Sequence, residues 1–206
     1  MKNSIRSLIK KSYGIFTSKI KIGGKNNLIK KDPELFIRNT KISIYGNNNK
    51  LIFKRNCDIN GLRILILGDN NIIEFGENVV VNASNLQPTI INAVGGKKIK
   101  IGNNSMLSNN IEIHTSDYHG IYDFQGKRIN YDQDVIIGNS VWIGLDTKIL
   151  KGTVIPDGCI VGAGALLAGK EYNEKNCILV GVPAKILKRQ IFWTKSRKEK
   201  IEVSKI

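Results

Sequence analysis

The sequence predicts a mainly β protein, a parallel β-helix wound from six-residue repeats. Three observations carry that prediction. Aliphatic residues recur every six positions at Ile137, Ile143, Ile149, Ile155, Val161 and Leu167, with none missing. Glycine follows three of them directly, at Gly138, Gly144 and Gly162. Asn and Asp cluster where turns would fall, at Asn47–Asn49, Asp69–Asn71 and Asn103–Asn104, and these side chains tolerate left-handed backbone angles. A short fixed period marks repeat architecture.

The same spacing excludes an amphipathic helix. A six-residue step advances a helix by about 600°, so the aliphatics would spiral around its surface. In a β-helix each repeat supplies one short strand and one turn, the aliphatic points inward, and three repeats close one coil of 18 residues. Stacked coils pair their backbones and bury a continuous column.

Along the chain, residues 1–31 read as a basic N-terminal extension, with nine Lys/Arg and no acid. Ile5, Leu8, Ile9 and Phe16 fall on one helical face among lysines, a pattern that suits a peripheral membrane helix. Lys10, Lys11 and Ser12 interrupt the apolar run, which is unlike a signal peptide. No stretch approaches the ~18 uninterrupted apolar residues of a membrane span. The expected location is cytoplasmic, with any membrane contact peripheral, at the inner face.

The β-helix is expected over residues 32–183. Residues 32–66 give strands without a coil assignment. A faint repeat runs through Leu67, Ile73 and Val79 with Gly68, and a clear one through Ile101, Leu107 and Ile113 with Gly102. Residues 114–134 lack the inward series and hold aromatic, charged and His residues, so they read as a loop expelled from the coil. Residues 168–177 form a shorter break. After Pro183, Ile186, Leu187, Ile191 and Phe192 alternate with basic residues, which reads as a C-terminal basic helix over 184–206 capping the last coil.

Composition narrows the function. Hydrophobic residues make up 41% of the 206 and aromatics only 7%, so the core is aliphatic. The net charge is +15, and the two ends carry all of it, since residues 32–183 hold fifteen bases and fifteen acids. A nucleic-acid binder would spread its basic face over the fold, so no nucleic-acid partner is expected. Basic ends suit an anionic membrane or polymer, or solubility alone. Cys57, Cys159 and Cys177 show no metal or disulfide spacing and read as packed hydrophobes in a reducing compartment.

The run IIGNSVWIGLDTKILKGTVIPDGCIVGAGALLAG, followed by GVPAKIL, resembles the hexapeptide-repeat acyltransferases over residues 99–188. The segment TSDYHGIYD, residues 115–123, is similar to bacterial O-acetyltransferases of capsular and surface polysaccharides, polysialic acid included. This resemblance implies a left-handed β-helix, a homotrimer with active sites between subunits, acetyl-CoA as cosubstrate, a glycan acceptor and no metal.

Acyl transfer to a hydroxyl needs a base, and histidine suits that role at neutral pH. The chain has two histidines, His114 and His119. By resemblance the base is His119 in the expelled loop. Asp117, two residues earlier, is placed to orient its imidazole, or else caps its own turn. Tyr118 and His114 are assigned to the acceptor side, although His114 also reads as a corner residue bonding backbone. Trp142 should point outward beside inward Ile143. By resemblance it lines the acceptor or acyl site, and it serves equally for packing between subunits.

Amides near Gly144 and Leu145 could receive the thioester oxygen. Gly162, Ala163, Gly164 and Ala165 offer a small-residue wall to a pantetheine arm, or simply permit tight coil packing. Lys170, Lys185 and Lys188 match positions that meet the coenzyme's phosphates in the family, with Lys170 one residue late. Four readings compete with O-acetylation, one of them a membrane-lipid acyltransferase using longer acyl chains, against which a closed acyl pocket would count. N-acetylation of an amino sugar nucleotide shares the fold. A β-helical scaffold binding an anionic polymer would not depend on His119. Zinc hydratases of this fold need about three histidines per metal.

Overall fold

The computed structural model describes residues 18–195, and every regular element among them is a β-strand. Three sheets wrap one core. The first contains β1 (Lys19–Gly23), β4 (Lys41–Tyr45), β7 (Leu62–Leu67), β10 (Thr89–Val94), β13 (Glu112–His114), β16 (Lys148–Ile149) and β19 (Leu166–Leu167). The second contains β2 (Leu28–Lys31), β5 (Lys50–Phe53), β8 (Ile72–Phe75), β11 (Lys98–Ile101), β14 (Val135–Ile137) and β17 (Val154–Ile155). The third contains β3 (Phe36–Arg38), β6 (Asp58–Asn60), β9 (Val80–Asn82), β12 (Met106–Leu107), β15 (Trp142–Ile143), β18 (Ile160–Val161), β20 (Ile178–Gly181) and β21 (Ala184–Lys188). Up to β19 the chain visits the sheets in rotation, and from β4 to β19 each strand pairs in parallel with the strand three before it; β20 then pairs in parallel with β18. The result is a left-handed parallel β-helix of about seven coils.

The six-residue series forms the core column. Ile101, Leu107, Ile113, Ile137, Ile143, Ile149, Ile155, Val161 and Leu167 are all buried. The step is most regular from β15 to β19, where each strand has two residues and each corner four. All three cysteines are buried among these aliphatics, with the sulfurs of Cys159 and Cys177 3.5 Å apart. Burial pushes the Cys57 thiol up to about 11 and the Cys177 thiol up to about 12, which suppresses thiolate chemistry.

The N-terminal coils are larger, and this explains why residues 32–66 resist an eighteen-residue frame. Lys19 pairs with Lys41 and Lys41 with Arg63, a step of 22 residues. Strands β4, β5 and β6 have five, four and three residues, so the aliphatics lose their even spacing. Strand β7 alternates inward and outward, and it is Ile66, not Leu67, that enters the core; Leu67 faces out and is half-buried. Ile73 and Val79 point inward as expected.

The wider coils are tied at the corner between the first and second sheets by stacked asparagines. Asn49 and Asn71 are fully buried. The Asn27 Oδ1 accepts the Asn49 backbone N–H and side-chain amide, and the Asn49 Oδ1 accepts the same pair from Asn71. One residue earlier, Asn26, Asn48 and Asn70 all adopt left-handed backbone, with φ of 57°, 57° and 62°. Gly46 at this corner has φ 124°, and a Cβ there would lie 2.2 Å from the Gly68 carbonyl oxygen.

Three expectations are corrected. The β-helix begins at Lys19, inside the segment expected as an extension. Residues 168–177 stay in the coil: Glu171 bridges Val154, and buried Tyr172 donates its N–H to the Val154 carbonyl. No C-terminal helix forms among the described residues. The chain reverses through Val182 and Pro183, and β21 pairs antiparallel with β20, covering the sheet edge that a helix was expected to cover. The proposed helical face of Ile5, Leu8, Ile9 and Phe16 lies outside the described residues, as does the segment 196–206.

Candidate active site

The expelled loop leaves the coil after His114 and returns at Val135. Its root is fastened by Thr115, which is fully buried. The Thr115 hydroxyl accepts the Val94 N–H at 2.8 Å and donates to the Val94 carbonyl at 3.0 Å. The Ser116 hydroxyl accepts the Tyr118 N–H at 2.9 Å. Beyond the root the loop buries little: Ile121, Tyr122, Phe124, Ile129 and Tyr131 are all exposed. Polar contacts therefore set its shape.

His119 sits on the exposed outer turn of this loop. Its N–H donates to the Asp117 carbonyl at 2.8 Å, and its own carbonyl accepts the Asn130 side-chain amide at 2.8 Å. The imidazole makes no hydrogen bond among the described residues, which leaves both ring nitrogens open to a substrate. Asp117 does not touch that ring. Its carboxylate meets Lys151 Nζ at 2.5 Å and accepts from Asn130 Nδ2 at 2.8 Å. The Lys151 ammonium holds the Asp117 carboxyl below its ordinary value; burial opposes it, and the Asn130 amide adds a lesser lowering. The expected direct orientation of His119 by Asp117 is thus replaced by an ion pair that fixes the loop.

Tyr118 has a left-handed backbone, φ 64°, unusual for an aromatic residue. Its hydroxyl accepts the Asn92 amide at 2.8 Å and lies 3.4 Å from His114 Nδ1. His114 Nε2 lies 3.3 Å from Glu112 Oε2. His114 is therefore held by side chains on the outer face of the first sheet, not by the corner backbone.

The remaining candidates lie elsewhere on the coil. Trp142 points outward and is 37% exposed, as the alternation requires. Part of its cover comes from this same chain: the Trp193 ring is 6.0 Å away, and Trp193 Nε1–H donates to the Ser140 carbonyl at 2.6 Å. Gly144 and Leu145 follow Trp142 into the corner between the third and first sheets. The Gly144 N–H donates to the Val161 carbonyl at 2.8 Å, so it is committed to coil pairing. A Cβ at Gly144 would lie 2.7 Å from the Ala163 nitrogen; packing alone demands glycine there.

In the next coil Gly162 packs against Val180, while Ala163 and Gly164 are exposed. Ala165 points into the core and cannot line a wall. Lys170 lies over the Tyr172 ring at 5.1 Å. Lys185 and Lys188 stand exposed on β21. Within one chain the first sheet separates the His119 loop, at the first-to-second corner, from Gly144, Leu145 and Gly162–Gly164, at the third-to-first corner.

Sequence reading missed Lys151, Asn130, Asn92 and Glu112. None belongs to a repeated or charged motif; only the folded loop brings them to Asp117, Tyr118 and His114. It also missed a basic ladder. Lys19, Lys41 and Arg63 stand directly in register on the outer face of β1, β4 and β7. Like charges so placed repel. No carboxylate among the described residues pairs with them; Arg63 bonds only the Asn39 and Leu62 carbonyls and the Asn85 side chain.

No protein-family model matches the chain. A polysialic acid O-acetyltransferase of Neisseria meningitidis is 37% identical over 97 residues, covering 47% of this chain and 45% of that protein. One of Escherichia coli O1:K1 / APEC is 32% identical over 104 residues, covering 50% of this chain and 33% of that protein. The matched regions thus span less than half the length of these curated relatives. Among solved structures, the polysialic acid O-acetyltransferase OatWY is 30% identical with a TM-score of 0.67, covering 90% of this chain and 94% of that chain.

Proposed function

This chain belongs to the hexapeptide-repeat acetyltransferases of the polysialic acid O-acetyltransferase type, and on that premise we propose that it transfers an acetyl group from acetyl-CoA to a hydroxyl of a bacterial surface polysaccharide, one containing sialic acid. The observation that carries the proposal is His119, whose imidazole has no hydrogen-bond partner among the described residues and whose loop backbone is clamped.

His119 takes the proton of the acceptor hydroxyl. The oxygen attacks the thioester carbonyl, the tetrahedral intermediate collapses, and the coenzyme thiolate leaves and recovers the proton from the imidazolium. The products are an O-acetyl ester and free coenzyme A. The Leu145 amide is the oxyanion donor of this scheme, since that of Gly144 is engaged. Lys185 and Lys188 face solvent and suit the coenzyme's phosphates, while Ala163 and Gly164 leave room for its pantetheine arm. Trp142 and Tyr118 would border the acceptor.

His119 and the Gly144 corner do not meet within one chain, so the site is completed by a neighbouring copy in a homotrimer. The ladder of Lys19, Lys41 and Arg63 supports an anionic acceptor. The test is to incubate the protein with acetyl-CoA and polysialic acid and follow the polymer by NMR. New acetyl signals that vanish on mild alkali mark O-acetyl esters. Alkali-stable signals would mark amides and sink the hydroxyl assignment.

A further inference from the structure

We infer that Asn130 is a positioning residue for His119, locked in place by Lys151; this rests on the reading of His119 as the base. A single side-chain amide reaches three residues of the segment Asp117–Ile121. Its Nδ2 donates to the Asp117 carboxylate and to the His119 carbonyl, each at 2.8 Å. Its Oδ1 accepts the Ile121 N–H at 2.6 Å. The contacts fall before, at and after the histidine, so they fix the peptide that carries it from both sides. They also fix which way the amide faces, because the two acceptors and the one donor cannot be satisfied the other way round.

Lys151 closes the arrangement from the coil. It is largely buried, with 16% of its side chain exposed. Its Nζ donates to the Asn130 carbonyl at 3.0 Å and pairs with the Asp117 carboxylate. The corner after β16 is tied to its neighbours on both sides of Lys151, the Leu150 N–H donating to the Leu167 carbonyl at 2.8 Å and the Gly152 N–H to the Asp134 carbonyl at 3.0 Å, so the chain of contacts runs from the coil to Lys151, to Asn130, to His119. The apolar residues of the loop are exposed and contribute no competing anchor. Loss of the amide should therefore displace His119 without loosening the β-helix. Misplacement of a catalytic group by about 1 Å costs on the order of 100-fold in rate.

The experiment compares Asn130→Ala, Asn130→Asp, Lys151→Met and His119→Ala with wild type. Steady-state kinetics, thermal melting and proton NMR of the imidazoles are read together. The chain has two histidines, so the His119 signal can be assigned from its loss in His119→Ala. The expected result is kcat lowered about 10- to 100-fold in Asn130→Ala, with KM for acetyl-CoA and the melting temperature unchanged and the His119 resonance shifted or broadened. Asn130→Asp keeps the size but sets a carboxylate against Asp117 and the His119 carbonyl, so it should not rescue. Asn130→Ala combined with Lys151→Met should be no slower than the worse single variant, because both act through one device.

If His119→Ala abolishes activity while Asn130→Ala keeps the wild-type kcat and His119 signal, the inference is overturned and the base survives. If His119→Ala stays active, the base assignment fails and the inference with it. A loss in Asn130→Ala matched by a lowered melting temperature would make the role structural and likewise overturn it.

Discussion

Lys151 Nζ lies 2.5 Å from Asp117 Oδ2, so the one carboxylate beside His119 in sequence is bound to the coil and not to the imidazole. That pairing ties the expelled loop to the coil.

The fastening has a pH signature. The Lys151 contact depresses the Asp117 carboxyl in the folded chain. Its contribution to loop order is complete above the ordinary carboxylate value, about 3.9, and is lost as pH falls through the lower folded value. A carbon NMR titration of the Asp117 carboxyl should show a midpoint below that value in wild type and a higher one in Lys151→Met. Equal midpoints would mean the ion pair does not persist in solution. Both groups are partly open to solvent, so the effect on global stability should be small.

The basic ladder predicts salt sensitivity confined to the acceptor. Replacing Lys19, Lys41 and Arg63 together with Gln should raise KM for a long sialic acid polymer several-fold at low salt and flatten its salt dependence. KM for acetyl-CoA and kcat should stay put. An unchanged polymer KM would assign the ladder to solvation alone. Binding of the wild type, but not this variant, to anionic lipid vesicles, with no effect on polymer KM, would assign it to a membrane instead.

The asparagine stack predicts a stability effect far from the site. Asn49→Ala removes the acceptor of the Asn71 N–H and side-chain amide in a fully buried corner. Each buried polar group left unpaired costs roughly 1–3 kcal/mol, and a chain of this size loses about 2–4 °C per kcal/mol. The melting temperature should drop by at least about 4 °C while acetyl transfer per folded molecule is retained. A drop under one degree would show the stack to be dispensable.

How much of this was legible follows from strand length. From Ile143 to Leu167 two-residue strands and four-residue corners hold the period at six, so the core column could be read directly from the chain. In the coils of Lys41 and Arg63 the strands lengthen unevenly, and the even step disappears although the fold continues. Ile186 and Leu187 suggested a helix because spacing alone cannot reveal that β20 offers an edge to pair with. At the site, family resemblance points to His119, and alternation along the strand puts Trp142 on the outside, where it stands. Asn130 and Lys151 could not be picked out, since a lone Asn in an irregular loop and a lone Lys at a corner acquire meaning only when the loop folds back on the coil.

The most direct test of the central claim is thiol release from acetyl-CoA in the presence of polysialic acid, with His119→Ala beside the wild type. Acceptor-dependent release is expected from the wild type, and in the variant its loss by a factor on the order of 100 to 10,000. Release that is undiminished in His119→Ala, or no release with any sialic acid polymer, would contradict the claim.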